Sequence, residues 1–118
     1  MKKHILICDD DAGILDIVSI IFDDKGYEVT AINDSEEVVA AVTKRQPDII
    51  LLDLWMPNIS GDQITKILKN NPSTAHIPII ISSANKDTQK ISDEAGADTF
   101  ILKPFDIDEL EKLVENFT

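Results

Sequence analysis

The run Ile49-Ile50-Leu51-Leu52, closed by Asp53, constrains this chain more than any other stretch. A short apolar run without polar alternation fits a parallel strand covered on both faces rather than one with a wet side. Such a strand needs helices above and below it. After Asp53 come Leu54 and Trp55, then Met56-Pro57-Asn58, where proline breaks the ladder and turns the chain. In open α/β sheets ligands bind outside the carboxyl ends of the strands, so Asp53 stands where such a fold does its chemistry. Capping loop amides is the plainer role for an acid at that place, and the other strand ends decide between the two.

Ile5 to Cys8 is a short apolar strand ending in Asp9-Asp10-Asp11. A helical period follows, with Ile14, Ile17, Val18, Ile21 and Phe22 as the predicted buried stripe, Leu15 at its margin, and Gly26 as the C-terminal stop. Glu28 to Ile32 is a weaker strand. Asp34 and Glu37 resemble a capping box for a helix carrying Val38, Val39, Ala41 and Val42, which ends at Lys44-Arg45. Beyond the central strand, a helix from about Ser60 presents Ile64, Ile67 and Leu68 and stops at Asn70-Asn71-Pro72. Pro78 to Ser83 is a fourth strand. The polar helix from about Asp87 to Ala95 has only Ile91 and Ala95 to hold it down and is predicted to be the loosest. Thr99 to Leu102 is the last strand, and Asp106 with Glu109 opens a helix striped by Ile107, Leu110, Leu113, Val114 and Phe117.

Five strands alternating with five helices predict a doubly wound α/β domain over residues 1–118, a parallel sheet with helices on both faces. The flavodoxin-like strand order 2-1-3-4-5 is favoured for so short a chain. Its switch point lies between strands 1 and 3, which sets Asp9 and Asp10 beside Asp53. With only 5% aromatic residues, Ile, Val and Leu must fill the core. The net charge of -11 repels phosphate backbones and argues against direct nucleic-acid binding. The one cysteine, Cys8, reads as a buried, inert thiol. No apolar run approaches the length of a membrane span, and the expected place is the cytoplasm.

Three carboxylates converging at one sheet edge stay ionised together only with a countercharge, and a hard divalent cation such as magnesium would supply it. Helix N-terminal acids need no metal, and Asp11 is read as one of these. Strand 4 ends in Ser82-Ser83-Ala84 and strand 5 in Lys103, adding a hydroxyl and an ammonium to the same rim. Singly these are turn formers and surface residues. Together with the acids they match what a phosphorylated carboxylate with magnesium requires.

At this point the chain resembles, along essentially its whole length, the receiver domain of bacterial two-component response regulators. The resemblance rests on I-L-I-C-D-D-D, I-I-L-L-D-L-W-M-P-N-I-S-G, P-I-I-I-S-S-A and F-I-L-K-P-F in that order and spacing. It implies that Asp53 accepts a phosphoryl group from a sensor histidine kinase or a histidine phosphotransfer protein. It also implies that Asp10, Asp53 and the Trp55 carbonyl bind magnesium or manganese, with Asp9 assisting through water. Ser83 and Lys103 are implied at the phosphoryl oxygens, Phe100 at the aromatic switch position, and a cis peptide at Lys103-Pro104. The dianionic product would pull on Ser83 and let Phe100 rotate, which couples the chemistry to the surface of helix 4, strand 5 and helix 5, a possible homodimer face. Phe100 lacks the hydroxyl of a tyrosine, and Trp55 is large enough that we expect it to shield the phosphoryl group from water.

Two other classes compete. A magnesium phosphohydrolase of the haloacid-dehalogenase type resembles D-x-D at the nucleophile, with the second aspartate as acid and base; here that position is Trp55. A degenerate receiver that only docks partners is the other, disfavoured because no member of the phosphorylation set is missing.

Overall fold

The computed structural model describes residues 2–118. Strands β1 (His4–Cys8), β2 (Glu28–Ile32), β3 (Ile49–Asp53), β4 (Ile79–Ser83) and β5 (Thr99–Leu102) form one parallel sheet in the order β2-β1-β3-β4-β5. The connecting helices are α1 (Ala12–Asp24), α2 (Val38–Lys44), α3 (Gly61–Asn70), α4 (Thr88–Ala95) and α5 (Ile107–Phe117). The flavodoxin-like, doubly wound order expected from the strand pattern is the one observed.

Alternation along each strand splits the core into two layers. Leu6, Cys8, Ile50, Leu52, Ile79 and Ile81 face Val38 and Val42 of α2 and Ile64 and Leu68 of α3. Ile5, Ile7, Ile49, Leu51 and Ile80 face the other way, onto Leu15, Val18 and Phe22 of α1 and Leu110 and Val114 of α5. Strands β1, β3 and β4 are buried along their whole length, as their apolar runs demand. Among the described residues no helix is long and apolar enough to cross a membrane.

Three local readings are corrected. In α1, Leu15 is buried, whereas Ile17 is 57% exposed and Ile20 is 61% exposed. A helix apolar on nearly every side has no single phase, and the packing against β1 and β3 chooses among its candidate faces. At Asp34 the side chain accepts from the Glu36 N–H, two residues on, which tightens Ser35–Glu37 into a 3-10 turn; α2 begins only at Val38, without the capping box. In α5, Asp106 likewise accepts from the Asp108 N–H rather than pairing with Glu109 in a box. Gly26 follows the end of α1 with φ 91°, a conformation that suits glycine. The face that α4 buries is Thr88, Ser92 and Ala95. So little apolar area gives that helix a small hydrophobic anchor.

Candidate functional site

Parallel pairing of β1 with β3 sets Cys8 opposite Leu52, so the residues that follow, Asp9 and Asp53, emerge side by side at the carboxyl rim. Carboxylate oxygens of Asp9, Asp10 and Asp53 all lie within 4.8 Å of one another. Asp9 and Asp53 are buried, and Asp10 is exposed. Asp11 is the N-cap of α1 and accepts from the Gly13 and Ile14 N–H groups, the helix-capping role expected of it. Asp9 Oδ1 in turn accepts from the Asp11 N–H at 2.9 Å.

Lys103 follows β5 and closes the cluster. Its Nζ donates to Asp9 Oδ2 at 2.9 Å and to Asp53 Oδ1 at 3.0 Å. Its backbone N–H donates to the Ser83 carbonyl at 2.9 Å, which extends the β4 and β5 pairing up to the rim. The Lys103-Pro104 peptide is cis. One ammonium thus faces three carboxylates. Burial pushes the Asp53 carboxyl up to about 6; Lys103 pulls the other way, and the Asp9 charge adds to the rise. Burial works against the Lys103 ammonium, but the bonds from Asp9 and Asp53 outweigh it and its pKa is raised. Cys8, behind the rim, has its thiol pushed up to about 12, first by burial and then by Asp9 and Asp53, and at that value it is inert.

Among the described residues the donors that converge here are carboxylate oxygens with no nitrogen or sulfur ligand, the set that suits a hard divalent cation. Of the residues singled out in the sequence, Asp9, Asp10, Asp53 and Lys103 come together. Ser83 is buried at the end of β4 with its Oγ accepting from the Asn85 N–H at 3.0 Å, and Phe100 lies half-buried in β5. Trp55 is 57% exposed on the loop between β3 and α3. Asp9, assigned a water-mediated part by the resemblance, bonds directly to Lys103.

The loop from Trp55 to Ser60 is held more firmly than its sequence suggests. Gly61 N–H donates to the Leu54 carbonyl at 2.9 Å and closes the base. At the tip, Ile59 N–H donates to the Pro57 carbonyl at 2.9 Å across Asn58, whose φ is 73°: a γ-turn of the strained, positive-φ kind. Met56 packs against the core with its Sδ 3.5 Å from Cys8 Sγ. A β-carbon at Gly61 would overlap the Asp53 carbonyl oxygen, so only glycine lets α3 start there. The hydroxyl of Ser35, which the sequence presents only as part of a helix start, reaches this loop from the other side of β1.

A family model for the response regulator receiver domain matches residues 5–115. The chain is 33% identical over 112 residues to the DNA-binding response regulator MtrA of Mycobacterium tuberculosis, an alignment covering 93% of this chain and 48% of MtrA. It is 38% identical over 110 residues to the phosphate regulon transcriptional regulatory protein PhoB of Pseudomonas aeruginosa, covering 92% of this chain and 48% of PhoB. It therefore spans about half the length of these curated relatives. Among solved structures, the chemotaxis response regulator CheY4 of Vibrio cholerae superposes with a TM-score of 0.93 at 26% identity, covering 100% of both chains. A CheY-like receiver domain protein from Methanospirillum hungatei gives a TM-score of 0.88 at 29% identity, covering 99% of this chain and 94% of the other. With its sheet order, its acidic rim and its matched residues in agreement, the chain belongs to the response regulator receiver domain family of two-component systems.

Proposed function

We propose that residues 1–118 act as a phosphoacceptor module in which Asp53 takes a phosphoryl group from a phosphohistidine of a sensor kinase or a phosphotransfer protein. The observation that carries this reading is the sharing of one ammonium, that of Lys103, between Asp9 and Asp53 with the exposed Asp10 alongside. Three carboxylates against one ammonium leave the rim two positive charges short and ready to accept a divalent cation. Magnesium or manganese, held by Asp10, Asp53 and the Trp55 carbonyl with Asp9 assisting through water, would supply charge neutralisation to the phosphoryl oxygens. Asp53 Oδ forms the new bond to phosphorus as the donor's P–N bond breaks, and the imidazole nitrogen keeps the electron pair. Lys103 then transfers its hydrogen bond from the Asp53 oxygen to the phosphoryl group. Ser83 gives up the Asn85 N–H and donates its own O–H to a phosphoryl oxygen, and Phe100 follows into the space vacated.

The kinase surface is supported by an apolar groove of about 370 Å³ beside Lys103, lined by Ile14, Ile17, Val18, Pro104, Phe105 and Ile107. Phosphoryl transfer from such a kinase would put the domain in the cytoplasm. Leu102, 50% exposed, lies on the α4, β5 and α5 face that would pair two copies or meet a downstream target. MtrA is named as DNA-binding, but a net charge of -11 argues against these residues themselves meeting a phosphate backbone. The reading is tested by incubation with magnesium and a small phosphodonor, followed by intact mass. A single stable phosphoryl adduct in the wild type and none in Asp53→Asn is expected. Phosphate release over many cycles would instead favour a hydrolase, and an unmodified wild type the docking-only role.

A further inference from the structure

Ser35 sits in the 3-10 turn after β2, is 3% exposed, and belongs to no motif used above. Its Oγ donates to the Pro57 carbonyl at 2.8 Å and accepts from the Ile59 N–H at 3.4 Å. A single buried hydroxyl thus brackets both ends of the γ-turn at Asn58. That turn is the strained point of the loop, and a positive φ at a residue with a side chain persists only where the surroundings hold it. The base of the same loop is fixed by the Gly61 to Leu54 bond, and Trp55 lies between base and tip. We infer that Ser35 is a positioning residue for the cation site, setting through Pro57 and Ile59 where the Trp55 carbonyl is presented to the acidic cluster. The inference rests on the proposed role of the Trp55 carbonyl as a metal ligand and adds to it a residue from a different strand connection.

Removing the hydroxyl would leave the Pro57 carbonyl with only the Ile59 N–H of the turn itself and release one restraint on a strained turn. Groups that orient a metal ligand typically cost about tenfold or more in affinity when lost. Trp55 is the only tryptophan, so its fluorescence reports the site directly. The experiment compares wild type, Ser35→Ala, Ser35→Thr and Asp53→Asn by magnesium titration. In parallel, amide hydrogen exchange at residues 55–60 is measured in metal-free protein. Ser35→Ala is expected to weaken magnesium about tenfold and to speed exchange at Ile59, whereas Ser35→Thr, which keeps the hydroxyl, stays within about twofold of wild type. Magnesium affinity unchanged in Ser35→Ala, while Asp53→Asn loses it, overturns the positioning role and leaves the cation site standing. Affinity unchanged in Asp53→Asn overturns the cation site itself. Loss of magnesium affinity in Ser35→Ala without faster exchange in the loop also overturns the positioning role, since the effect would not pass through the turn.

Discussion

Two lysines occupy opposite rims of the sheet, and their surroundings differ. Lys69, at the end of α3, donates to the Ala75 carbonyl at 3.1 Å, the Ile77 carbonyl at 2.8 Å and Asp98 Oδ2 at 2.8 Å. The same Asp98 oxygen accepts from the Ile79 N–H at 2.8 Å, at the start of β4. All three ammonium donors are used, and one positive charge meets one negative. Lys103, at the carboxyl rim, is divided between two buried carboxylates with a third beside them. The first lysine closes a structure. The second leaves charge unbalanced, which is poor for stability and suited to binding a cation or a phosphoryl group.

That contrast breaks most visibly by exchanging the measurements. Lys103→Ala should slow phosphorylation of Asp53 by roughly 100-fold, the scale for losing one donor to a developing charge. Lys69→Ala should leave that rate near wild type and cost about 2 kcal/mol of stability, because it strands two carbonyls and leaves Asp98 with only the Ile79 N–H. A melt of each variant beside a phosphodonor time course checks both, and a Lys69→Ala protein that melts like wild type would remove the distinction.

A smaller effect sharpens the electrostatic half. Burial pushes the Asp53 carboxyl up from its ordinary 3.8 to about 6, so its ionisation opposes folding. The penalty is complete above about pH 6 and fades as the pH falls toward 3.8, where the carboxyl is protonated in both states. In chelator, Asp53→Asn should therefore be more stable than wild type at pH 7.5, by roughly 1 to 2 kcal/mol. The gap should close on acidification to about pH 4. Equal melting curves at both pH values would show that the rim carries no such strain. The smallest expected effect concerns the exposed wall of the site: Trp55→Asn should shorten the phosphoryl lifetime severalfold, read by loss of adduct mass with time, if the indole keeps water from phosphorus.

The carboxyl rim was legible because strand ends map onto it directly. Once apolar runs specify parallel strands, their order brings Asp9, Asp10, Asp53 and Lys103 together without any knowledge of side-chain packing. The amino rim was not legible, since the partners of Lys69 are carbonyls of an irregular segment and no spacing rule points at them. Ser35 escaped for a similar reason: its two bonds reach Pro57 and Ile59, which only the completed sheet brings near. In α1 the difficulty was excess, because Ile14, Leu15, Ile17, Val18, Ile20, Ile21 and Phe22 permit several faces and packing selected the one through Leu15.

The close seat of Gly61 on the Asp53 carbonyl has one more consequence. Helix α3 and the Asp53 peptide are in effect a single part, since the helix cannot tilt toward the strand without pushing the Asp53 carbonyl. A displacement at this rim that spares the Asp53 peptide is left to the opposite wall, where α4 buries Thr88, Ser92 and Ala95 and adds only a partly buried Ile91.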